Sequence, residues 1–269
     1  MPDEKKTTPQ KCPLCLETKV VVSSHLIPKR MYDYCRPPGG NPISVTTELV
    51  IETSRQVQDH LLCVDCEDLL NSGGEMWLLP LLARYEGSFP FYDLLAKLPA
   101  DSTVDDVSVY LGARNPEIHV ERLVHFAMGV FWKAGTHSWR GSETEPMIDL
   151  VEYAEPIRKF LRAESGFPDH AALTIGVLPP PVRQIFFYSP YRGSNEQWMN
   201  FLFYIPGIQF SLSLGEGVDE TLRQGCFACN AGHPILMLDF SSDVRGVMKG
   251  AWDKAYKAKN VQKYLRKES

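Results

Sequence analysis

Nothing in this chain is apolar enough, for long enough, to cross a bilayer. The strongest run, FLFYIPGIQF at residues 201–210, falls short of the roughly 20 residues a span needs and is broken by Pro206. The first eleven residues, MPDEKKTTPQK, hold no apolar core of the secretory kind and read as a disordered lead. The expected location is therefore cytoplasmic, with no membrane partner. An excess of positive charge is missing too. Lys and Arg number 28 against 33 Asp and Glu, a formal net charge of −5, which excludes a protein that coats nucleic acid by bulk electrostatics but leaves room for a local basic groove. There is no P-loop, no dinucleotide fingerprint and no G-x-S-x-G elbow, so nucleotide-dependent and serine-hydrolase chemistries have no support. Internal repeats and low-complexity tracts are also absent.

What the chain does have is paired cysteine. Of seven cysteines, six fall in C-x-x-C pairs (Cys12/Cys15, Cys63/Cys66 and Cys226/Cys229) and Cys35 is left over. In a reducing compartment such spacing points to metal or redox chemistry rather than a disulfide framework. CPLC and CVDC flank one segment and make a CxxC…CxxC set. Four thiolates at tetrahedral geometry suit zinc, a soft-ligand ion with no geometric demand of its own. The expected ligands are Cys12, Cys15, Cys63 and Cys66, and a unit so poor in apolar residues would draw much of its stability from the ion. Cys226-Phe-Ala-Cys229 has no second pair of its own. Cys35 or His233 are available as further ligands, while buried free thiols are the simpler reading.

The length allows one or two domains. Residues 12–75 read as a compact module and 76–240 as a larger mixed α+β domain. A basic helical tail, 241–269, is either a phosphate-contacting segment or a solvated helix face. Inside the module, KVVVSSHLI predicts a strand ending near His25, RPPGGNP a turn, and VTTELVIETS a second β-prone stretch. After Cys66 a short helix is predicted that stops at Asn71-Ser72-Gly73-Gly74. Beyond it, residues 116–135 carry the spacing of a buried helix and 149–165 a second helix, bent or interrupted by Pro156. PVRQIFFYSP, NFLFYIPGIQFSLSL and HPILMLDF read as strands. The fold class is α+β.

CPLC, then SSHLIP, then LLCVDCE opening a helix resembles the HNH (ββα-metal) endonuclease family, and within it a bacterial group of HNH-like proteins that combines SH-x-IP with LLCxxCE. The resemblance covers residues 12 to about 75. It implies a structural zinc on the four cysteines, His25 at the strand end as the general base that activates water, and a catalytic Mg2+ or Mn2+ at the scissile phosphate. Three positions depart from the family. Ser24 stands where many members carry Asp or His before the catalytic His. Gln58 falls near the Asn that orients it, and Glu67 replaces a His or Asn after the last zinc cysteine. Glu67 is a good ligand for a hard cation, with Asn71 one helical turn further on the same face; equally, an acid at a helix start complements the helix dipole. The dipole is the preferred reading of Asp68, and Glu75 is a weaker candidate because the glycines are expected to end the helix. Asp59 and His60 read as auxiliary groups or as a solvated strand edge.

Two classes of function follow. One is an HNH-like endonuclease acting on nucleic acid, DNA ahead of RNA, in bacterial defence or genome maintenance, with Lys29, Arg30 and the tail contacting phosphates. The other is a catalytically inactive zinc module that binds nucleic acid, or a protein partner through residues 76–269. Trp132, Trp139 and Trp198 either stack on bases or pack in a core.

Overall fold

The computed structural model describes residues 9–36, 43–45, 50–52, 56–104, 107–139, 146–178, 187–195 and 197–238, with Lys249 and Asp253. The fold is α+β. Strands β1 (Gln10–Lys11) and β2 (Thr18–Lys19) form a short hairpin, followed by β3 (Val21–His25) and helix α1 (Lys29–Tyr34). Strands β4 (Ile43–Val45) and β5 (Val50–Glu52) pair with each other antiparallel, and of the β-prone stretch VTTELVIETS, Val45 falls in β4 and Val50–Glu52 in β5, while its other residues lie outside the described residues. Strand β6 (Gln58–Cys63) returns antiparallel on β3 and runs straight into α2 (Val64–Leu70).

The helix after Cys66 does not stop at the glycines. It continues as a π-helical turn over Asn71–Glu75 and then α3 (Met76–Leu78). Gly73 and Gly74 are contact residues here, not terminators. A Cβ on Gly74 would lie 2.5 Å from the Arg122 carbonyl oxygen and 2.9 Å from the Phe126 nitrogen, both on helix α5 (Val120–Thr136), which follows α4 (Pro90–Ala96) and strands β7 (Ser102–Val104) and β8 (Val107–Leu111). Two helices cross so closely that only glycine fits. Gly74→Ala gains about 1 kcal/mol of helix propensity but must push backbone away, an overpacking penalty of about 1–3 kcal/mol. The variant is expected to melt below the parent in a thermal scan, and an equal or higher midpoint would contradict the packing argument.

Helix α5 is the centre of the molecule. One side takes the glycine turn and α6 (Ala154–Leu161); another meets the large sheet, where Phe126 and Phe131 pack on Phe203 and Phe210 with ring centroids 4.9–6.2 Å apart. That sheet has the order β10-β11-β12-β9-β13-β8-β7, with β9 (Ala171–Val177), β10 (Tyr188–Arg192), β11 (Met199–Ile205), β12 (Ile208–Leu214) and β13 (Pro234–Leu238). All its pairings are antiparallel except β13 on β9. The long strand expected over NFLFYIPGIQFSLSL is the β11–β12 hairpin, turned by Pro206 and by Gly207 at φ +88°. Short helix α7 (Glu220–Gln224) precedes β13. Pro156 neither bends nor interrupts α6. It lies in the first turn, where its missing N–H has no partner to lose. Trp132 and Trp139 are buried in the core and unavailable to bases, whereas Trp198 is half-buried. The hydrophobic core is continuous from Cys12 and Leu14 through α5 to Ile235. Of the basic tail, only Lys249 and Asp253 fall within the described residues, as an exposed i,i+4 ion pair.

His125 on α5 is held between these layers. Its Nε2 lies 3.2 Å from the Leu161 carbonyl while its buried Nδ1 has no partner among the described residues. Burial lowers its pKa below the ordinary 6.5, against smaller opposing effects from Leu161 and Glu75. The unfolded chain therefore takes up this proton first. The stability His125 supports is present above pH 6.5 and is lost as pH falls through 6.5 toward the lower folded value. A His125→Gln variant should show a smaller drop in urea midpoint between pH about 7.5 and about 5 than the parent; equal drops would assign the acid sensitivity elsewhere.

Candidate functional site

The Sγ atoms of Cys12, Cys15, Cys63 and Cys66 all lie within 4.8 Å of one another, with Cys15 and Cys63 at 3.9 Å. A tetrahedral ion with metal–sulfur bonds of about 2.3 Å requires sulfurs about 3.8 Å apart, whereas a disulfide requires about 2.05 Å. All are free thiols. The four cysteines are close enough to hold a metal ion, and an all-sulfur set at this spacing is consistent with structural zinc.

Local structure delivers each sulfur. The first pair sits in the β1–β2 turn, closed by Leu16 N–H donating to the Cys12 carbonyl at 2.8 Å and Cys12 N–H donating to Glu17 O at 2.9 Å, with Leu16 at φ 65°. Cys63 ends β6, pairs across the ladder with Val21 and occupies the N-cap of α2, so Cys66 falls in that helix's first turn. The knuckle is anchored to the second half of the chain. Leu14 is buried in the core, and its carbonyl accepts a 3.0 Å hydrogen bond from Arg158 of α6, itself paired with Glu155 and Glu164. Burial opposes a Cys12 thiolate, but N–H groups of Cys15, Cys63 and Leu14 aimed at its sulfur win and lower the thiol. Burial and the neighbouring sulfurs push Cys66 far up. Four sulfurs packed this tightly can all ionise only around a cation.

Beside this cluster lies a polar group built on the β3–β6 ribbon. His25 is the last residue of β3 and faces Gln58 across the ladder, while Ser24 faces Asp59. Ser24, fully buried, donates from Oγ to Glu67 Oε2 at 2.8 Å and accepts from Leu62 N–H at 3.2 Å. The strand end is thus tied to the first turn of α2. Gln58 itself is exposed; the side chain that hydrogen-bonds the His25 ring is Gln56. Burial lowers the His25 pKa, and Lys133 and Lys29 reinforce this against Gln56 and Glu75. Asn71 is exposed, four residues beyond Glu67, and Asp68 is exposed as well.

Lys133 joins these parts. Its side chain is 2% exposed, and Nζ donates to the His25 carbonyl oxygen at 2.7 Å and to Glu75 Oε1 at 3.4 Å. Because the helix runs on through the glycines, Glu75 arrives eight residues after Glu67 and acts on the same group. Burial raises the Glu67 pKa, Lys133 and Ser24 pull it down, and Glu75 and Asp68 push it up again. His25, Glu67, Glu75 and Lys133 form one electrostatic unit. Sequence reasoning passes over Lys133 and Gln56. For Lys133 a signal exists: a lone charge in the apolar helix run FAMGVFWKAG must find a partner or stay out of the core. Asp59 is also spoken for. It accepts from His60 N–H at 2.8 Å and contacts His137 Nε2 at 3.3 Å.

The third cysteine pair stands apart: among the described residues only the four-sulfur group gathers enough donors for a metal. His233 points its Nδ1 at the Phe227 carbonyl, 2.8 Å away, and Cys35 is pushed up to about 12 by burial. Compared with known proteins, the chain matches no family model, no curated protein and no solved structure.

Proposed function

We propose that this protein is an HNH-like, metal-dependent endonuclease in which a zinc-stapled ββα unit hydrolyses nucleic-acid phosphodiesters, DNA ahead of RNA. The observation that carries the reading is the convergence of two distant sulfur pairs at the β6–α2 junction. It brings the end of β3 against the start of α2, with Ser24 and Glu67 2.8 Å apart and His25 next in sequence. His25 is the general base. Its lowered pKa keeps the imidazole neutral and able to take a proton from water at physiological pH. Glu67, with Asn71 on the same helix, would hold a Mg2+ or Mn2+ ion, which supplies charge stabilisation to the phosphate and the leaving oxygen. Lys29 and Arg30, exposed on the first turn of α1 shortly after His25, are in place for backbone phosphates.

The test incubates the purified chain with single-stranded, duplex and plasmid DNA and with RNA, in Mg2+ or Mn2+ against EDTA, beside His25→Ala. Cleavage should require both the added cation and His25, with His25→Ala slower by about 100-fold or more. A second reading, an inactive zinc module that binds nucleic acid or protein, draws on the buried Lys133 ammonium, which already neutralises part of the acidic group a catalytic cation would use. Retention of nucleic acid without cutting under every metal condition would decide for it.

A further inference from the structure

The Cys226–Cys229 turn is built with more care than two stray thiols need. It follows α7, whose N-cap Asp219 accepts from Leu222 N–H at 3.0 Å. Cys226 N–H donates to Arg223 O at 3.1 Å, Phe227 N–H to Leu173 O at 2.7 Å and Asn230 N–H to the Cys226 carbonyl at 3.0 Å. The backbone of the pair is therefore fixed against β9. Cys226 is fully buried beside Ala172 and Val218, and its Sγ accepts the Cys229 N–H at 3.1 Å. Cys229 is exposed, with its Sγ 3.9 Å from the Ala171 carbonyl. One sulfur is sheltered and the other open to solvent.

We propose that Cys226 and Cys229 form a reversible dithiol–disulfide couple that exchanges with small-molecule disulfides of the glutathione type. The anchored turn keeps the two cysteines in contact, with the Cys229 N–H 3.1 Å from the Cys226 Sγ, and exposure makes Cys229 the entry point. The neighbouring Cys229 thiol, hydrogen-bonded to Cys226, lowers that group against the opposing effect of burial and is itself pushed up, so the first ionisation of the pair is shared between the two sulfurs. The proton on Cys229 passes to Cys226, and the Cys229 thiolate attacks one sulfur of the external disulfide. That S–S bond breaks and one thiolate leaves. Cys226 gives its proton to the departing thiolate, attacks Cys229 Sγ and expels the second external thiolate. The protein gains one S–S bond and loses two electrons, and the external disulfide is reduced to a thiol and a thiolate. This reactivity is separate from the four-sulfur cluster, whose members would be held by their ion.

The test uses the full, metal-loaded chain with oxidised glutathione, followed by acid quench, alkylation and trypsin. Both cysteines fall on one peptide, Gln224 to Arg245. In the parent that peptide should appear about 2 Da lighter and unalkylated, and dithiothreitol should restore it. Cys226→Ala should accumulate a glutathione adduct on Cys229, because the resolving sulfur is gone. Cys229→Ala should leave Cys226 unmodified in its buried position. A parent peptide that alkylates fully after oxidant, an adduct that persists on the parent as it does on Cys226→Ala, or a second metal ion per chain lost in Cys229→Ala would each overturn the proposal.

Discussion

Cys63→Ser is expected to hold no metal at the four-sulfur cluster and to fall in unfolding free energy by about 4–5 kcal/mol or more, the range reached when a structural ion is removed. Cys63 serves three purposes: it closes the β3–β6 ladder opposite Val21, it is the N-cap of α2, and it contributes one of four clustered sulfurs. Serine keeps the first two, being a preferred N-cap residue, so the loss isolates the sulfur. The parent should carry one zinc per chain by elemental analysis and the variant little. A chelator should reproduce the effect on the parent. Hydrogen exchange should accelerate in β1–β3, β6 and α2, while α5 and the sheet, joined through Phe126, Phe131, Phe203 and Phe210, keep their protection. A parent that purifies without metal and melts with the variant would remove the ion from the account.

Spacing alone locates the four sulfurs, because a C-x-x-C turn presents both of its thiols to one point whatever surrounds it. The strand to His25 is legible from its run of β-branched valines, and the buried helix near residues 116–135 from the apolar spacing that a covered helix face must show. The failures have a common physical origin. Gly73 and Gly74 look like a helix stop in sequence, and only the approach of α5 reveals why no side chain is allowed there. The ladder pairs His25 with Gln58, but Gln58 is exposed, and the side chain that reaches the His25 ring is Gln56, two residues before β6 begins, where strand periodicity no longer says which way a side chain points. Strand β9, AALTIGV, escapes sequence reading as well. It is buried along almost its whole length in mid-sheet, so it has no polar alternation to betray it. The contacts of Lys133 with residues 58 and 108 positions earlier in the chain are beyond any local pattern.

Lys133→Ala should be the most damaging single change outside the sulfur cluster. It leaves the Glu75 carboxylate, itself mostly covered, without its ammonium, and strips the His25 carbonyl of a 2.7 Å donor. Removing one partner of a buried ion pair costs about 3–5 kcal/mol. Lys133→Met restores the volume but not the charge, so the difference between the two variants in denaturant unfolding separates packing from electrostatics. The charge also has a signature that a purely structural residue would lack. Lys133 lowers the pKa of both His25 and Glu67, so in Lys133→Met both should move up, measurable by NMR titration of the His25 ring. The same variant leaves Glu67 and Glu75, which already repel one another, without the Lys133 ammonium that offsets them. Mn2+ should then raise its melting temperature more than it raises that of the parent. If Mn2+ stabilises both equally, the ammonium and the divalent ion do not compete for these carboxylates, and the case for an inactive module loses the observation that favours it. If it stabilises only the variant, Lys133 is the built-in cation of this site, and catalysis by the parent would require substrate binding to move it aside.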